Sequence, residues 1–107
     1  MTKIGIIRCN THSENCAGYK CFPALSSKAG SFAAYDDDLE LVGFDTCGGC
    51  GRNEATKIVA RAMRLREKGA EIIHLGNCLA GACPWLDLYQ SAIARETGLT
   101  VALKTHP

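Results

Sequence analysis

Cys47 and Cys50 enclose a glycine pair in the run FDTCGGCGR, Phe44 to Arg52. Two residues between thiols let a tight turn direct both sulfurs at one ion or at one electrophilic sulfur. Gly48 and Gly49 permit positive φ and leave backbone N–H groups open toward the sulfurs. A helical pattern follows the motif, and a helix N-terminus beside thiols favours the thiolate. Metal binding and thiol–disulfide chemistry gain equally from these features, so the motif alone does not choose between them.

Five more cysteines, Cys9, Cys16, Cys21, Cys78 and Cys83, bring the total to seven in 107 residues, a high and odd number. A secreted disulfide scaffold would account for such a count. The start MTKIGIIRCN, however, has too short an apolar run for a signal peptide. The expectation is a cytosolic protein, where thiols serve metal binding or redox work. Other nucleophile patterns fail. A phosphatase-type loop needs five residues between cysteine and arginine, whereas Cys47 and Arg52 have four. Neither GxxxxGK[ST] nor GxSxG occurs.

The elements that must position these thiols follow from the hydrophobic pattern. Lys3 to Arg8 (KIGIIR), Leu39 to Phe44 (LELVGF), Glu71 to Leu75 (EIIHL) and Leu99 to Leu103 (LTVAL) read as strands. Pro23 to Ala29 can form a short helix, ended by Gly30 and Ser31. Asn53 is a plausible N-cap, with Glu54 in the first turn, for a helix carrying Ile58, Val59, Ala62, Met63 and Leu65 on one face and stopped by Gly69. A third helix is expected from Pro84 to about Thr97, closed by Gly98, with Gly76 to Cys83 as a loop. The alternation β-α-β-α-β-α-β implies an α/β fold across residues 1–107 as a single domain. It has three layers: a four-stranded parallel sheet with helices on both faces. Right-handed crossovers favour the strand order 2-1-3-4, the flavodoxin-like arrangement.

On that scheme Cys9, Cys47, Cys50, Cys78 and His106 all follow strand ends, and Cys83 precedes a helix start. In a parallel sheet these positions share the carboxyl edge, where open α/β sheets build their ligand sites. Neighbouring strands lie ~4.8 Å apart, so strands two and four are separated by roughly 14 Å. Zinc–sulfur bonds of ~2.3 Å require ligands to converge closely. The geometry therefore favours a four-thiolate centre of Cys9, Cys47, Cys50 and Cys78. His106 is too far out unless the tail or the Cys78–Cys83 loop curls inward. With Cys83 it could complete the centre or make a second site.

The remaining residues read more simply. Cys16 and Cys21 share the first loop with His12 and could be outer ligands, a second site, an oxidisable pair or packing cysteines. His74 lies within a strand and reads as a hydrogen-bonded core histidine, and Trp85 as packing for the last helix. Asp36, Asp37 and Asp38 read as a solvated turn rather than a cation site. Twelve basic against eleven acidic residues give a net charge of +1, with no basic stripe interleaved with aromatics, so no nucleic-acid partner is expected. No stretch approaches the roughly 20 apolar residues of a membrane span.

The stretches KIGIIRC, GSFAAY, VGFDTCGGCG, GAEIIHLGNC, the later CP and the closing TH, with the spaced Cys16 and Cys21, resemble the CGGC-domain proteins of bacteria and archaea. The resemblance covers nearly the whole chain and implies metal binding, zinc in particular, at Cys9, Cys47, Cys50, Cys78, Cys83 and His106. It supplies no reaction. An iron–sulfur cluster suits four thiolates as well. A thiol–disulfide oxidoreductase would use CGGC at its strand-to-helix junction, but that fold requires antiparallel strands, which are not expected here.

Overall fold

The structure, a computed structural model, describes residues 1–11, 15–48 and 55–106. Four strands, β1 (Thr2–Arg8), β2 (Leu39–Thr46), β3 (Ile72–Leu75) and β4 (Thr100–Leu103), form one sheet in the order β2-β1-β3-β4. Every pairing is parallel. The helices are α1 (Cys21–Ser27), α2 (Thr56–Glu67), α3 (Asn77–Ala82) and α4 (Leu86–Thr97), with a 3-10 turn at Gly30–Ala34. The expected α/β class and strand order are both present. None of the helices among the described residues is long and apolar enough to cross a membrane.

Alternation along β1 divides the core into two. Ile4 and Ile6 join Ala24 and Phe32 under α1 and the 3-10 turn. Ile7 points to the opposite face and packs with Ile58, Leu65, Leu75 and Ile93 beneath α2 and α4. The helices thus cover both faces, as the right-handed crossovers require. α2 approaches the sheet closely where Gly5 and Gly43 are register partners. A Cβ on Gly43 would lie 2.3 Å from Leu65 Cδ2, and one on Gly5 would lie 2.8 Å from Leu65 Cδ1. These two glycines make a groove that receives Leu65.

Several local elements differ from expectation. α1 starts two residues before Pro23, which falls in its first turn. The residues after it wind into a 3-10 turn instead of ending the structure, because Phe32 is driven into the core and Ser31 N–H donates to Thr105 O at 3.1 Å. The stretch expected as a loop after β3 contains α3, and α4 begins at Leu86 rather than at Pro84. Gly98 closes α4 as expected. Asn53 and Glu54, expected at the start of the second helix, lie outside the described residues; α2 begins at Thr56, after Ala55.

His74 is a core histidine, as its position in a strand suggested. Its Nδ1–H faces the Lys104 carbonyl at 3.0 Å, and its Nε2 accepts from the Tyr35 hydroxyl at 2.6 Å. Both partners fit the neutral ring. Burial pushes its pKa below the ordinary value, and the Lys104 carbonyl opposes this only in part.

Two predictions follow from this packing. Gly43→Ala is expected to cost about 1–3 kcal/mol through its clash with Leu65. In a denaturant double-mutant cycle, Gly43→Ala with Leu65→Ala should lose less than the sum of the two singles. The unfolded chain protonates His74 near the ordinary value of about 6.5, so its neutral burial contributes stability that is present above that pH and lost as pH falls below it. Chemical unfolding at a series of pH values should show this decline, with a shallower slope in His74→Gln.

Candidate functional site

The parallel ladder carries three chain segments to one edge. Cys47 N–H donates to Arg8 O at 2.8 Å, Gly76 N–H to Ile7 O at 2.9 Å and Lys104 N–H to Leu75 O at 2.7 Å. Beyond β1 the chain has no further strand to bond, and its next two amides turn to sulfur. Cys9 N–H points at Cys78 Sγ, 3.1 Å away, and Asn10 N–H at Cys47 Sγ, 3.4 Å away. One sulfur comes from the β3 side and the other from the β2 side. Thr46 Oγ1 donates to Asn10 Oδ1 at 3.1 Å and holds that turn in place. Cys9, Cys47 and Cys78 are therefore brought to one edge, as expected. Cys50, the other thiol of CGGC, and His12 lie outside the described residues.

The two sides of the edge differ. Cys47 is buried in the core beneath α2 and α4, and Cys9 and Cys83 pack against the same cluster. Gly48 has φ 89°, and a Cβ there would lie 2.8 Å from Arg61 Nε, so the turn after Cys47 needs glycine on both counts. Arg61 and Arg64 reach the Asp45 carboxylate at 3.5 and 2.9 Å.

On the α1 side, Arg8, Cys16, Cys21, Asn77, Cys78 and His106 line a cavity of about 270 Å³. Cys83 is not part of its wall. The tail does curl inward, held chiefly by the Asn77 side chain, alongside the Ser31 N–H donated to Thr105 O. Asn77 Oδ1 accepts from Thr105 N–H at 2.7 Å, Thr105 Oγ1 at 3.3 Å and His106 N–H at 3.2 Å, while Asn77 Nδ2 donates to His106 O at 2.9 Å. Cys21 is buried, with its sulfur 3.1 Å from Thr105 Oγ1. Cys16 Sγ accepts from Gly18 N–H at 3.4 Å.

Cys78 belongs to both sides. Burial pushes its thiol above the ordinary pKa; the Cys9 N–H pulls it back, and the nearby Cys9 and Cys21 charges raise it further. Cys21 is thus an electrostatic neighbour of the edge that the strand-end argument did not place there. A signal for it existed: a helix following a strand in a parallel unit begins at the same edge where the strand ends, and Cys21 is the first residue of α1. Among the described residues, no three Cys, His, Asp or Glu side chains stand close enough together to hold a metal ion.

Fold and edge together define a small parallel α/β domain with thiols gathered where its strands end. The chain matches the CGGC domain family over residues 3–106 and belongs to that family. It is 34% identical over 114 aligned residues to an uncharacterized protein of Methanocaldococcus jannaschii, covering 97% of this chain and 86% of that one. No solved structure matches it.

The Asn77 clamp makes a prediction. Asn77→Ala should free the Thr105 and His106 amides, destabilise the chain by about 1–3 kcal/mol and speed hydrogen exchange at those two amides well beyond the change in β4. Uniform exchange across β4 and the tail would show that the clamp does not act locally.

Proposed function

We propose that the protein binds a soft divalent metal ion, zinc in the first instance, through thiolates at the carboxyl edge of its sheet. Cys9, Cys47 and Cys78 are the described ligands, and Cys50 is the fourth. His106 and Cys83 are the remaining candidates. The observation that carries this reading is the pair of successive amides, Cys9 and Asn10, directed at the sulfurs of Cys78 and Cys47. The Cys9 N–H partly offsets the burial that raises the Cys78 thiol, and would steady the thiolate once metal displaces the proton.

The donor set suits zinc, which takes up to four thiolates in a closed structural site. Bound there, zinc would supply a cross-link between the ends of β1, β2 and β3. The sulfurs are gathered at the edge without closing on one point, so binding would draw the segments after β1, β2 and β3 together and couple to folding. The all-parallel sheet counts against the thioredoxin-like alternative, whose sheet contains antiparallel strands.

Anaerobically purified protein is expected to carry stoichiometric zinc, and chelation should lower its melting temperature. Cys9→Ser, Cys47→Ser and Cys78→Ser should each weaken zinc binding by at least about 100-fold, the upper end of what even a supporting residue costs. Uptake should release protons and weaken as pH falls, because burial holds the Cys78 thiol in its protonated form. Colour with iron and labile sulfide would replace zinc by a cluster. Absence of any stoichiometric metal, with stability indifferent to chelators, would overturn the reading.

A further inference from the structure

The cavity on the α1 side has a feature that metal binding does not use, which is a positive charge with no counter-charge among the described residues. Strand alternation puts Arg8 on the same row as Ile4 and Ile6, facing α1 rather than solvent. Its guanidinium is held in place twice, by an N–H bond to Cys16 O and by stacking over the Phe44 ring at 4.6 Å. Phe44 is itself braced by Phe22, with ring centroids 4.8 Å apart. The carboxylates in ion pairs among the described residues are Asp37, Asp45 and Glu96, and none of them meets Arg8. Less than 1 Å² of Arg8 Nε reaches solvent, and it has no hydrogen-bond partner among the described residues.

A partly desolvated cation with no paired anion is costly to hold. The described wall of the cavity offers no aspartate or glutamate to offset it. The cavity also sits where β1 and β3 diverge toward α1 and α3, the switch point at which open parallel sheets receive ligands. We propose that this cavity binds a small oxyanion, with Arg8 as the counter-charge and the thiols of Cys16, Cys21 and Cys78 as its soft walls. The cavity has a volume of about 270 Å³. That volume, just below the ~300–1,000 Å³ of drug-sized ligand sites, suits an inorganic oxyanion or a short carboxylate. Cys78 is shared with the proposed metal edge, but the binding charge is not, so the two proposals fail separately.

The test is titration of the isotopically labelled, as-purified full chain with inorganic phosphate and with acetate, following backbone amide shifts. Saturable shifts at Gly18, Asn77 and Cys78 are expected, and the tighter of the two anions tells a tetrahedral oxyanion from a carboxylate. Arg8→Gln should weaken binding by about tenfold or more, the loss of one contact to a charged group. Arg8→Lys should fall between the two, and Arg95→Gln should leave binding unchanged. If Arg8→Gln does not fold, the wild-type shift map and Arg8→Lys decide. No saturable shift up to tens of millimolar, shifts confined to other surfaces, or equal affinity in wild type and the Arg8 variants would overturn the proposal.

Discussion

Parallel pairing of β1 with both β2 and β3 is the constraint on which the rest of the molecule depends. Because β1 is central and all strands run the same way, three chain segments leave the sheet side by side. Each leaves with a cysteine within three residues: Cys9, Cys47 and Cys78. The same pairing needs α2 to lie close over β1 and β2, which the Gly5–Gly43 groove and Leu65 accomplish. The ladder itself sets the lateral spacing of the strand ends that bear the thiols, at ~4.8 Å per strand.

Where the ladder ends, its unmet backbone donors become part of the site. The half-buried Cys9 amide would be costly to leave unbonded, and sulfur accepts both it and the amide of the exposed Asn10. The same step from strand to loop separates two environments. Alternation along β1 turns Cys9 toward α2 and α4 but Arg8 toward α1. Cys78, at the start of α3, faces both. A metal held by thiolates and an anion held by Arg8 would therefore occupy opposite sides of one sulfur, each altering the electrostatics of the other.

Much of this was legible in the sequence, and for identifiable reasons. The β-branched runs mark the strands, the alternation with helices demands parallel pairing, and handedness then leaves few strand orders. Placing Cys9, Cys47 and Cys78 together needed nothing more. His74 was recognisable because a histidine in the middle of a buried strand must satisfy its ring nitrogens locally. What could not be read depends on tertiary contacts. The 3-10 turn at Gly30–Ala34 is held by Phe32 in the core and by bonds from Ser31 to the tail, at Leu103 O and Thr105 O. α3 is six residues of mostly small side chains, too short for periodicity to register. The inward tail rests largely on the Asn77 amide, with Ser31 and Cys21 meeting Thr105 beside it, and no spacing announces these contacts. The Arg8 cavity depends on where the loop before α1 lies.

The central claim is that thiolates from adjacent strand ends share one ion. X-ray absorption at the zinc edge of the zinc-loaded protein tests it most directly. The account predicts a shell dominated by sulfur at ~2.3 Å, with sulfur scatterers lost in Cys9→Ser and Cys78→Ser. A shell of nitrogen and oxygen alone at ~2.0–2.1 Å, unchanged in those variants, would contradict it.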